Sequence, residues 1–63
     1  MNFAKKLKKS MDIKGFSNSR LAKEIGTNES TVSRYLSGNM IPKIDTLKRI
    51  CDVLEVSADW LIS

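Results

Sequence analysis

Glu29, Ser30, Ser33 and Arg34 are the residues of this chain whose chemistry and spacing best suit recognition of another molecule. On a helix, Ser30, Ser33 and Arg34 fall on one face, with Glu29 in the first turn. Serine hydroxyls can approach a surface closely, a guanidinium is a planar fork of donors, and a carboxylate only accepts. The edges of DNA bases ask for such a set. Arg34 can fork onto guanine O6 and N7, Glu29 can accept from a cytosine amino group, and Ser30 or Ser33 can contact either kind of base. The competing reading is a solvated helix face on which Glu29 merely complements the helix dipole.

The segment around these residues, FSNSRLAKEIGTNESTVSRYLSG from Phe16 to Gly38, favours the first reading. Leu21, Ala22 and Ile25 recur at helical spacing before Gly26 stops the helix. Thr27 and Asn28 turn the chain, and a second helix carries Val32, Tyr35 and Leu36 up to Gly38. Two short helices joined by a tight turn, about residues 17–37, are a common device for laying one helix in the major groove of DNA. Asn18 opens the first helix of the pair and Asn28 the second, where exposed backbone N–H groups and a positive helix end attract phosphate. Ser37 and Lys43 follow the second helix, where the chain can track the phosphate backbone. N-capping is the plain alternative for both asparagines, and a solvated loop for Lys43.

The remaining periodicity is helical, which predicts an all-α bundle of five helices in one domain, residues 1–63. Helix one is expected from an N-cap at Asn2 to about Ile13, with Phe3, Leu7 and Met11 on one face. Ser17, preceded by Phe16, is placed to cap helix two, about Asn18 to Ile25. Helix three is expected over about Glu29 to Ser37, and Pro42 keeps the following loop irregular. Helix four covers about Ile44 to Leu54, with Leu47, Ile50, Cys51 and Leu54 inward. Ser57 caps a short helix, Ala58 to Ile62. The expected core is Phe3, Leu7, Leu21, Ala22, Ile25, Val32, Tyr35, Leu36, Leu47, Ile50, Leu54, Val56, Trp60 and Leu61.

Composition narrows the function classes. The 63 residues carry a net charge of +4, no histidine and one cysteine. A chain this short buries only about 60% of the surface its unfolded form exposes. Residues 1–23 hold seven cations (Lys5, Lys6, Lys8, Lys9, Lys14, Arg20, Lys23) against Asp12, an imbalance that suits a polyanion. A lysine face that only keeps the protein soluble is the bland alternative. Without histidine there is no Ser–His or Cys–His nucleophile, so the chain is not read as an enzyme. One cysteine and no acidic cluster leave no metal site, and no cofactor or small-molecule ligand is expected. Cys51 reads as a small core residue, and its solitude suits a reducing cytoplasm. No apolar run is long enough to span a membrane. Helix one is basic and amphipathic, but Phe3, Leu7 and Met11 are needed in the core, which argues against membrane-surface attachment.

These residues resemble a known family, the lambdoid phage repressor and Cro type of helix-turn-helix. The likeness rests on FSNSRLAKEIGTNESTVSRYLSG and on IPKIDTLKRICDVLEVSADWLIS, with its Val-Ser-x-x-Trp-Leu ending. It implies a five-helix domain that binds palindromic operator DNA as a homodimer in a bacterial or phage-infected cytoplasm and blocks transcription. Carried over by position, phosphate contacts fall on Asn18, Asn28 and Ser37, and base reading on Glu29, Ser30, Ser33 and Arg34. The chain departs from the pattern in three places. Asn18 stands where glutamine is typical. Glu55 stands where a glycine usually ends helix four, so a different closure is expected there. Met11 and Leu36 replace a frequent arginine–glutamate pair, which implies an apolar contact instead. Two rivals remain: the DNA-binding piece of a longer repressor, and a protein-binding module such as an antirepressor on the same fold.

Overall fold

The computed structural model describes residues 2–63. Helices α1 (Phe3–Lys14), α2 (Asn18–Ile25), α3 (Glu29–Ser37), α4 (Ile44–Leu54) and α5 (Ala58–Ile62) follow one another, with no strand among the described residues. α2 packs on α3 and α4, while α1 lies across α3, α4 and α5. Their apolar faces close on one core of Phe3, Leu7, Met11, Leu21, Ala22, Ile25, Val32, Tyr35, Leu47, Ile50, Cys51, Leu54 and Leu61. Helices this short are marginal alone in water, so burial of this shared face supplies most of their stability.

The ends of α2 and α3 follow from local chemistry. Ser17 Oγ accepts the Arg20 backbone N–H at 3.1 Å and caps α2, and the half-buried ring of Phe16 lies under the Arg20 guanidinium, 4.3 Å from its carbon. α2 ends at Gly26, whose φ of 78° is left-handed and open to glycine at little cost. The chain then doubles back so that the Thr27 N–H reaches the Ala22 carbonyl at 2.8 Å. This short connection sets α3 directly against α2.

The core differs from the expected one in ways that have physical reasons. Trp60 is 36% exposed, because the inward side of this five-residue helix is taken by Leu61, with Ala58 half-buried against the core beside it. The indole lies under Lys6, whose ammonium is 5.4 Å from the ring centroid. Leu36 and Val56 are half-buried at the margin. Ser10 is buried, its hydroxyl donating to the Lys6 carbonyl at 2.8 Å. Cys51 is buried as expected, and burial first, then the Asp52 charge, pushes its thiol pKa up, so it stays protonated.

Of two other helix ends, one departs from expectation. Asn2 precedes α1 but makes no side-chain cap; only its carbonyl takes part, accepting the Lys6 N–H at 3.0 Å. Glu55 ends α4 in the left-handed conformation a glycine would take, with φ 57°. The left-handed turn is kept, but the closure differs as expected: one backbone bond, Val56 N–H to the Cys51 carbonyl at 3.0 Å, stands where each glycine-ended helix makes two. The Glu55 carboxylate pairs with Lys14 across the end of α1, a contact that lowers the Glu55 pKa by hydrogen bonding and then by charge.

Two substitutions probe this packing. Ala22 is 3% exposed, and its small side chain permits the close approach of α2 and α3. Ala22→Leu overpacks that crossing and should lower folding stability by about 1–3 kcal/mol. An unchanged melting temperature would refute the account. Met11 is 2% exposed, and Leu36, at the position of the family's glutamate, is half-buried against the same core. Met11→Arg should cost about 3–5 kcal/mol, comparable with what a core of this size supplies, whereas Met11→Leu should keep a cooperative melt.

Candidate nucleic-acid interface

α3 turns Val32 and Tyr35 into the core, and the ring of Tyr35 meets Phe3 of α1 edge to face, centroids 6.5 Å apart at 81°. The opposite side of the helix is what remains. Ser30, Ser33, Arg34 and Ser37 recur at helical spacing along it, and all four are exposed, as is Glu29 in the first turn. The structure thus brings the four expected base-reading residues to one accessible surface. Glu29 and Arg34 enter no ion pair among the described residues, so each is free to pair elsewhere. The Ser37 hydroxyl donates to the Arg34 carbonyl at 3.1 Å and would have to give up that bond to donate to a phosphate.

The two asparagines are placed differently. Asn18 is the first residue inside α2, and the cap belongs to Ser17, so the capping alternative for Asn18 falls away. Its half-buried carboxamide makes no hydrogen bond to another described residue. Asn28 does cap α3, its Oδ1 accepting the Thr31 N–H at 2.9 Å. Capping occupies only the acceptor end of the carboxamide. The two N–H donors of Asn28 stay free, and a donor is what a phosphate oxygen requires. Lys43 is exposed just before α4 without a partner among the described residues. It stands with the loop after α3, apart from the turn that joins α2 to α3.

The basic N-terminal segment is less uniform than its composition implies. Lys6 donates to the Trp60 carbonyl at 3.0 Å and to the Ser63 hydroxyl at 2.5 Å, closing the end of α5. Lys8 pairs with Asp12 at 3.2 Å, Lys14 with Glu55, and Arg20 loosely with Glu24 at 4.0 Å. Four of the seven cations therefore have protein partners, and Lys5, Lys9 and Lys23 remain exposed without one among the described residues. A groove of about 500 Å³ lies elsewhere, between the end of α1 and the α4–α5 junction, floored by Leu54 and Val56 and flanked by Ile13 and Trp60. None of the predicted site residues lines it, so the candidate surface is a helix face and not a pocket.

The helix-turn-helix family pattern matches residues 4–61, nearly all of the chain. The chain belongs to that family, of the Cro and repressor type. It is also 33% identical over 60 residues to the SPbeta prophage-derived uncharacterized HTH-type transcriptional regulator YonR of Bacillus subtilis (strain 168). That match takes in 95% of this chain and 56% of the relative, so the chain spans little more than half of the relative's length. No helix among the described residues is long and apolar enough to cross a membrane.

In this helix-turn-helix protein one substitution separates the cap made by Asn28 from the expected contact of its carboxamide with DNA. Asn28→Ser keeps an N-cap acceptor and removes the carboxamide donors. Its melting temperature should stay near that of the parent while affinity for duplex DNA falls roughly 2- to 10-fold whatever the sequence. Equal affinity of the two proteins would remove Asn28 from the interface.

Proposed function

We propose that this protein is a sequence-specific, double-stranded DNA-binding transcriptional regulator of phage or prophage kind, working in the cytoplasm. In this reading residues 1–63 act as one DNA-binding domain. α3 enters the major groove with Glu29, Ser30, Ser33 and Arg34 against base edges, and Asn18, Asn28, Ser37 and Lys43 hold phosphates. Two copies occupy a palindromic operator with recognition helices about 34 Å apart and block transcription by occlusion. The observation that carries the reading is the unpartnered polar face of α3, opposite a fully packed apolar face, in a chain of this family. The prophage-derived relative described as a transcriptional regulator supports it.

Pairing of two copies draws support from apolar side chains left in solvent. Met40 and Ile41, in the loop directly after α3, and Ile44, at the start of α4, are exposed beside the end of the recognition helix. The C-terminal helix is a second candidate for such contacts, through the exposed Trp60 and Ile62 and not through Leu61, which is buried. So small a patch suits association that DNA completes.

Binding to mixed genomic fragments at two salt concentrations, followed by sequencing of the retained DNA, tests the proposal. A short palindrome should be enriched, with a steep loss of binding as salt rises. No enrichment at low salt refutes the operator reading and turns attention to a protein partner. On the recovered site Arg34→Ala should cost about 1–3 kcal/mol and relax one base position, whereas Asn18→Ala should weaken all sites alike.

A further inference from the structure

α4 sends one cation away from its own helix and toward the turn that joins α2 to α3. Arg49 is exposed, and two acids stand at helical pairing spacing from it, Asp45 four residues before and Asp52 three after. It forms an ion pair with neither. Its guanidinium lies beside Gly26 instead, with Nη1 3.5 Å from where a Cβ would stand on that glycine.

One account of this placement is attraction to the negative end of α2, whose last carbonyls lie at the same turn. Such a brace is strongest when the guanidinium donates to those carbonyls, and Arg49 donates to no group among the described residues. All five N–H donors stay uncommitted, in a planar fork that matches phosphate. The turn leads within two residues to Asn28, at the start of the helix assigned to the major groove. The phosphate contacts assigned so far, Asn18, Asn28, Ser37 and Lys43, include one full positive charge. A steep loss of binding with salt requires several.

We infer that Arg49 is a phosphate contact supplied from α4: its guanidinium, set against the α2–α3 turn, holds a backbone phosphate of duplex DNA beside the start of α3. The inference rests on the reading of α3 as the recognition helix. It adds a second charged contact to that interface, from a residue outside the helix-turn-helix unit.

The salt dependence of affinity tests this, measured for the whole chain on a short duplex of mixed sequence. Arg49→Gln should weaken binding roughly 3- to 30-fold at low salt, the scale of one exposed charged contact. The plot of log affinity against log salt should become shallower by about 0.9, the value of one phosphate, while the melting temperature stays near that of the parent. Arg49→Lys keeps the charge and should keep the slope. Lys48→Gln removes an equally exposed charge at the neighbouring position and should leave the slope near that of the parent. An unchanged slope in Arg49→Gln overturns the inference whatever happens to stability, because a guanidinium that only braced α2 would alter melting and not counterion release. An equal change in Lys48→Gln overturns it as well, since overall charge and not this contact would then set the slope. In both cases the parent still binds and the DNA-binding reading stands. If the parent does not bind the duplex even at low salt, that reading falls and takes this inference with it.

Discussion

The close crossing of α2 and α3 is the constraint on which the rest of this structure depends. Ala22 leaves room for it, and Leu21 and Val32 are fully buried within it. The left-handed Gly26 returns the chain so sharply that the Thr27 N–H bonds the Ala22 carbonyl. A helix of nine residues such as α3 has little reason to persist alone. It is held from one side by α2 and from another by α1, where Phe3 meets Tyr35 edge to face. Once those contacts are made, which side of α3 faces solvent is no longer free. The same packing that stabilises the domain therefore selects the surface it can offer.

The charges divide along similar lines. Lys6 and Lys14 reach across to other elements, while Lys8 and Arg20 pair with acids one turn along their own helices. Exposed pairs of this kind contribute little to stability individually, yet they place side chains. Lys14 holds Glu55 where the chain adopts a left-handed turn without glycine, and Lys6 closes the end of the short α5 with its ammonium over the Trp60 ring. The positive balance is real, but what is offered to a polyanion is narrower than a count of lysines suggests.

Much of the fold was legible in the sequence. The 3.6-residue recurrence of Leu21, Ile25, Val32 and Tyr35, punctuated by Gly26 and Gly38, marks α2 and α3, and the observed bounds agree. Serine and asparagine before apolar runs mark the caps at Ser17, Asn28 and Ser57. Trp60 was misplaced because apolar character does not say which side of a one-turn helix faces inward, and only packing against α1 and α4 decides it. The burial of Ser10 was hidden because a hydroxyl that bonds its own helix backbone has no sequence mark. Pairing of Lys14 with Glu55 spans 41 positions, and of Lys6 with Trp60 54, and no local pattern reports either. For the candidate site, spacing placed Glu29, Ser30, Ser33 and Arg34 on one face, whereas the double use of the Asn28 oxygen by the N–H and hydroxyl of Thr31 needed coordinates.

Capping and recognition would compete at a helix N-terminus if one group had to do both with the same atoms, and under the proposed phosphate contacts this chain would avoid the conflict in two ways. At α2 the tasks fall to neighbours: Ser17 supplies the acceptor for the helix, and the adjacent Asn18 keeps a whole carboxamide uncommitted. At α3 both ends of one carboxamide are available for use, with the oxygen turned to the helix and the nitrogen outward. The second arrangement is more economical in residues, but it works only if the amide cannot flip. The capping bond through the Thr31 N–H holds one orientation, because a reversed amide would set its NH₂ against a backbone donor, whereas the Thr31 hydroxyl can face either end. A serine or aspartate at position 28 would cap equally well but would bring no amide donors. An asparagine is what a helix start would require if its cap were also to donate outward through an amide.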